Sequence, residues 1–187
     1  VLLCYPVAYY VAFHVHRRKM LWIILLTLPF WNSYLLRVFA WKVILGYEGV
    51  INASLLSLGF IEAPLEFLLY SQTAVIITLA HAWAAFAILP MYESLEKIDR
   101  SHLEAAADLG IIAATFLIFV PTTGDYITPY LVGGPDGAMI GNLIQLQFGP
   151  VNNWPMGAAL SMVLVFWIVL VSLVFIYLNR SSGERLV

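Results

Sequence analysis

The chain has 187 residues, of which 62% are hydrophobic and only 11% charged. Soluble domains carry about 25% charged residues, so much of this surface must face lipid rather than water. A net charge of -2 excludes the basic footprint of a nucleic-acid binder, and a single cysteine, Cys4, excludes an internal disulfide.

The first segment, "VLLCYPVAYYVAFHV" (Val1 to Val15), is shorter than the about 20 residues that span a bilayer as a helix. It lacks the basic flank and small-residue cleavage site of a signal peptide. It reads as a membrane helix clipped at its N-terminus. Four further spans are expected: Met20 to about Ala40, Tyr70 to Tyr92, Ile111 to about Val132, and Gly157 to Leu178. Backbone groups in lipid must be satisfied internally, and ten-residue alternating segments are absent, so an all-α integral membrane fold with about five visible helices is predicted.

Orientation follows the cationic residues. Arg17, Arg18 and Lys19, then Lys97 and Arg100, then Arg180 and Arg185 fall on one side of that arrangement, taken as cytoplasmic. Arg37 and Lys42 flank the far end of the second span, where long cations snorkel to headgroups. Residues 43–69 and 133–156 are therefore external. Within the latter, "GGPDG" at 133–137 is a turn cluster without the lysine of a phosphate loop. The following "AMIGNLIQLQFG" reads as a short interfacial or re-entrant helix.

Between the third and fourth spans stands "RSHLEAAADLG". Ser101 with Glu104 three residues later fits a capping box, and Gly110 suits a helix end, so a short cytoplasmic helix over about 101–110 is expected. Glu104 and Asp108 present two like charges on one face, which is reasonable if a basic partner awaits them. The plain alternative is an ordinary solvated loop helix.

"EAAADLG", Glu104 to Gly110, resembles the EAA motif of ABC-importer permeases. "LPFWNSYLLRVFAWKVILG" at 28–46, "AILPMYESLEKID" at 87–99 and "VPTTGDYITPYLVGGPDGAMIGNLIQLQF" at 120–148 resemble the permeases of spermidine/putrescine importers, most closely the putrescine type. The resemblance covers nearly the whole chain. It implies a single type I ABC-importer permease domain over 1–187 in the bacterial cytoplasmic (inner) membrane. It also implies a coupling helix (Ser101, Glu104, Ala105, Ala106, Asp108, Gly110) docked on an ABC ATPase dimer, a second permease subunit that is a paralogue, and an external solute-binding protein. The family pattern continues past the glycine with variable residues and Ile-x-Leu-Pro, whereas here "IIAATFLIF" follows at once. Residues are therefore expected to be missing between Gly110 and Ile111.

Asp125 is the one acidic residue well inside an apolar span, and an intramembrane carboxylate is a candidate functional group. Tyr126 and Tyr130 add aromatic faces suited to an ammonium. Together the three are expected to line a path for a small cation, a polyamine by the resemblance. The alternative is an Asp125 that is hydrated or paired with Arg37. Trp31 and Trp41 read as interfacial aromatics, and His81 beside Trp83 as a hydrogen-bonded structural histidine. His14 and His16 diverge around a helix and lack other ligands, so no metal site is expected. No Gly-x4-Gly-Lys-Ser/Thr element occurs, so the chain needs no cofactor of its own; ATP and Mg would sit on the partner ATPase. Two other classes compete: an intramembrane hydrolase using Ser71, Ser161 or Ser172 with His81, and a structural scaffold. No serine lies in a Gly-x-Ser-x-Gly turn, small polar residues in spans usually pack helices, and a scaffold would not need the docking helix.

Overall fold

The second apolar segment does not form one rod. In this computed structural model, described for residues 1–15, 17–96 and 103–183 (103–109 and 178–183 by backbone alone), α1 is Cys4–Phe13 and α2 is Lys19–Thr27. A tight 3-10 turn, Leu28–Trp31, follows α2, with Pro29 near its start, where a missing N–H does least harm. The extended residues Asn32 and Ser33 then break the chain before α3, Tyr34–Leu45, and α4, Val50–Ser57. The two halves, Lys19–Trp31 and Tyr34–Ser57, are bent by 82°. The expectation of one continuous span from Met20 to Ala40 is corrected accordingly: the proline turn and the two polar residues after it outweigh the apolar run.

The third segment begins as expected. The hydroxyl of Ser71 accepts the backbone N–H of Ala74 at 3.1 Å, capping α5, Gln72–Ala82. A bend of 47° at Trp83 separates it from α6, Ala84–Glu96, so this span too is two helices. Next, α7 is a single helix, Leu103–Thr123, passing through Gly110 and Ile111 without a break. The predicted helix end at Gly110 does not form. Glycine inside a helix costs only about 1 kcal/mol relative to alanine, and here its missing side chain has a use. A Cβ on Gly110 would lie 3.1 Å from the Cα of Met91, so the glycine lets α7 approach α6.

The fourth span is also shorter than expected. It stops at Thr123, and a π-helical turn, Pro129–Gly133, replaces its later part. Gly134, at φ 60°, turns the chain toward α8, Ile140–Phe148, the short helix anticipated between the last two spans. The last helix, α9, is Trp154–Gly183 and contains the whole predicted fifth span. Among the described residues it is, by length and composition, the one helix able to cross a membrane, or one of up to three if each bent pair counts as a span.

Two apolar clusters hold these pieces together. Cys4, Ala8, Val11 and Ala12 of α1 meet Ala87, Met91 and Leu95 of α6 and Ala114 of α7. Val38, Leu45, Ala74, Val75, Leu131 and Val132 join α3, α5 and the π turn. Lys19 and Glu96, paired at 3.3 Å, bring the start of α2 to the end of α6; at this exposure such a pair contributes at most about 1 kcal/mol. None of the apolar stretch of α9 is buried within the chain. Many large apolar side chains are likewise exposed, as lipid or partner helices require.

Gly141 allows α8 to lie on the break after α7, because a Cβ there would stand 2.7 Å from the carbonyl oxygen of Asp125. Gly141→Ala should therefore destabilise the solubilised protein by roughly 1–3 kcal/mol, the usual cost of overpacking. A melting temperature unchanged from the parent would contradict this packing.

Candidate functional site

The break at Gly124 and Asp125 exposes backbone donors at the start of the segment leading to the π turn, and Asp125 satisfies them. Its Oδ1 accepts the N–H of Ile127 at 2.9 Å and of Thr128 at 3.4 Å, the pattern of a carboxylate capping a helical turn. Its Oδ2 accepts the hydroxyl of Tyr34 from α3, and that hydroxyl also contacts Thr128 Oγ1. Asp125 is only 8% exposed and Thr128 is fully buried. The carboxylate is thus a buried, hydrogen-bonded group tying the π-turn segment to α3.

Arg37 lies one turn beyond Tyr34 on the same face of α3. Its guanidinium sits over the rings of Phe30, at 5.2 Å, and Tyr34, at 5.9 Å. Nη1 donates to the carbonyl of Ala82 at 3.0 Å, at the break between α5 and α6. Nε is buried without a partner, as is Nε1 of Trp83. No described carboxylate lies within ion-pair distance of Arg37. The alternative of a direct Asp125–Arg37 pair is not what forms; the Tyr34 ring stands between the two charges. Trp83 packs on Tyr34 with centroids 5.9 Å apart, and His81 lies against Phe30 and Trp41. Sequence reading overlooked Phe30, Tyr34 and Thr128. The available signal was the i, i+3 spacing of Tyr34 and Arg37 just after a proline turn.

The other residues expected around Asp125 are placed elsewhere. Tyr126 is 44% exposed and lines a cleft of about 580 Å³ with Gly141, Gln145 and Phe148 of α8 and Ser161 of α9. Tyr130, in the π turn, is 72% exposed. Asp125 is not among the residues lining the cleft. Asn142 closes the neighbouring turn, accepting from the N–H of Met139 and donating to the carbonyl of Tyr126, each at 3.0 Å.

Glu104, Ala105, Ala106 and Asp108 lie in the first turns of α7, where the backbone alone is described, and Gly110 is buried. Ser101 and His16 fall outside the described residues. Ser161 and Ser172 donate to the carbonyls of Gly157 and Ile168 in their own helix, at 2.9 and 2.6 Å. With Ser71 capping α5 and His81 held among aromatic rings, these serines and His81 form no nucleophile–base pair. His14 stacks on Tyr10 at 5.4 Å. Trp31 is exposed. Among the described residues no three His, Cys, Asp or Glu side chains converge as a metal site would require.

No family model matches the chain. It is 35% identical to the spermidine/putrescine transport system permease protein PotB of Escherichia coli over 199 aligned residues, covering 97% of this chain and 72% of that protein. The PotB of Haemophilus influenzae is 34% identical, with 97% and 68% covered. The inner membrane ABC transporter permease protein YdcU of Escherichia coli is 32% identical, with 97% and 66% covered.

Proposed function

The chain belongs to the permease family of spermidine/putrescine ABC transport systems, and from that premise we propose that it carries polyamines inward across the bacterial inner membrane as one subunit of an ATP-driven importer. It is a transport subunit and not an enzyme. The observation that carries the reading is the identity of 34–35% to such permeases along nearly its entire length.

The finer assignments are ours. The chain is one permease domain of type I architecture, with the basic segments around residues 17–19, 97–100 and 180–185 cytoplasmic. The segment Ser101 to Gly110 is the coupling helix, with Glu104, Ala105, Ala106 and Asp108 meeting an ATPase dimer that binds ATP and Mg. A paralogous permease completes the pathway, and an external binding protein delivers the solute. Asp125, Tyr126 and Tyr130 belong to the solute path, Asp125 from inside the wall and the tyrosines from more exposed positions. The alignment to PotB extends over 199 positions, more than the 187 residues of this chain, so those relatives carry residues with no counterpart here. We place them in a cytoplasmic loop after Gly110, where the sequence departs from the family pattern.

A hydrolase or a scaffold would have no use for an ATPase partner. Affinity purification of the tagged chain from its native membrane should recover an ABC ATPase in stoichiometric amount. Recovery of the intact chain without one would remove the basis for the importer reading.

A further inference from the structure

The cage around Arg37 holds what an alkylammonium needs, yet it satisfies the resident guanidinium only in part. The faces of Phe30 and Tyr34 attract a cation through their ring quadrupoles. The hydrogen bond from Tyr34 to the Asp125 carboxylate makes that phenol ring more electron-rich and places a negative charge at its rim. The Ala82 carbonyl, at the break between two helices, accepts one N–H. Against this, Arg37 keeps its Nε buried and unpartnered and has no carboxylate within ion-pair reach. An unmet buried donor makes the group costly to hold where it is. A compact ammonium has three donors on one atom and no planar fork to accommodate, so it can use the same carbonyl and the same two rings.

We propose that Phe30, Tyr34 and the Ala82 carbonyl form a transmembrane recognition site for the primary ammonium end of the solute, and that Arg37 is a built-in competitor occupying it when no solute is present. This rests on the polyamine reading above and gives that reading a location. Two cations cannot share one cage in a low-dielectric setting, so entry of an ammonium expels the Arg37 guanidinium and its departure readmits it. The indole face of Trp83, against Tyr34, offers apolar surface for the methylene chain behind the ammonium.

The test is direct binding of radiolabelled putrescine and spermidine to the complete permease–ATPase complex in detergent, with the binding protein omitted. Arg37→Gln, which removes the competitor but keeps a side chain of similar reach, should tighten binding about three- to tenfold, the scale of a partly desolvated cation–π contact. Phe30→Leu added to Arg37→Gln should reverse that gain. Coelution of each variant with the ATPase shows that it is folded. Affinity unchanged or weakened in folded Arg37→Gln, or no effect of Phe30→Leu, would overturn the cage. Because ATP-driven uptake by the parent is measured separately, such a result leaves the transport function standing, whereas failure of the parent to take up any polyamine would overturn both.

Discussion

Ala106→Arg should leave the chain inserted in the membrane and abolish ATP hydrolysis linked to transport. Ala106 belongs to the Glu-Ala-Ala segment at the start of α7, and a run of three alanines gives a surface that another backbone can approach closely. A guanidinium placed there without a partner must either be buried in the interface or hold it open. An uncompensated buried charge costs on the order of 3–5 kcal/mol, which is two to three decades in an association constant. The expected result is loss of the ATPase on purification, or its retention with hydrolysis that no longer responds to loaded binding protein. Stimulated hydrolysis equal to the parent's would remove this segment from the coupling interface.

Asp125→Asn should impair cation uptake while leaving assembly with the ATPase intact. Asparagine keeps one carbonyl oxygen for the N–H groups of Ile127 and Thr128. It loses the charge and the acceptor for Tyr34, whose hydroxyl still has Thr128. A hydrogen bond to a charged group contributes about 1.5–3 kcal/mol. The site is almost dry, so uptake at low polyamine concentration should fall by about tenfold to a hundredfold. Because the same carboxylate also caps the π-turn segment, part of the loss will be structural, and a lower melting temperature should accompany it. Uptake that matches the parent across concentrations would make Asp125 a purely structural cap.

Much of this architecture could be read from composition. The excess of apolar residues required lipid, and the polar positions inside "AMIGNLIQLQFG" marked the short helix α8. An isolated carboxylate in an apolar span pointed to Asp125. The helix breaks were harder to see. At Asn32 and Ser33 the preceding Leu-Pro-Phe-Trp is apolar enough to pass for continuous span, although Pro29 was a signal available to reading. At Trp83 no glycine or proline announces the bend. The cage was out of reach for a different reason: Tyr34 and Asp125 are 91 residues apart. No local periodicity encodes that meeting. At Gly110 a glycine that suits a helix end instead serves close packing of α6 on α7, and sequence alone does not distinguish these uses.

This chain is expected to move polyamines when driven by a separate ATPase. The most direct measurement is uptake of radiolabelled putrescine and spermidine into ATP-loaded proteoliposomes holding this chain with its companion permease, its ATPase and its binding protein. Accumulation should require ATP, saturate with loaded binding protein and be competed by unlabelled polyamine. Accumulation of a different solute in the same vesicles, with polyamines neither transported nor competing, would contradict it.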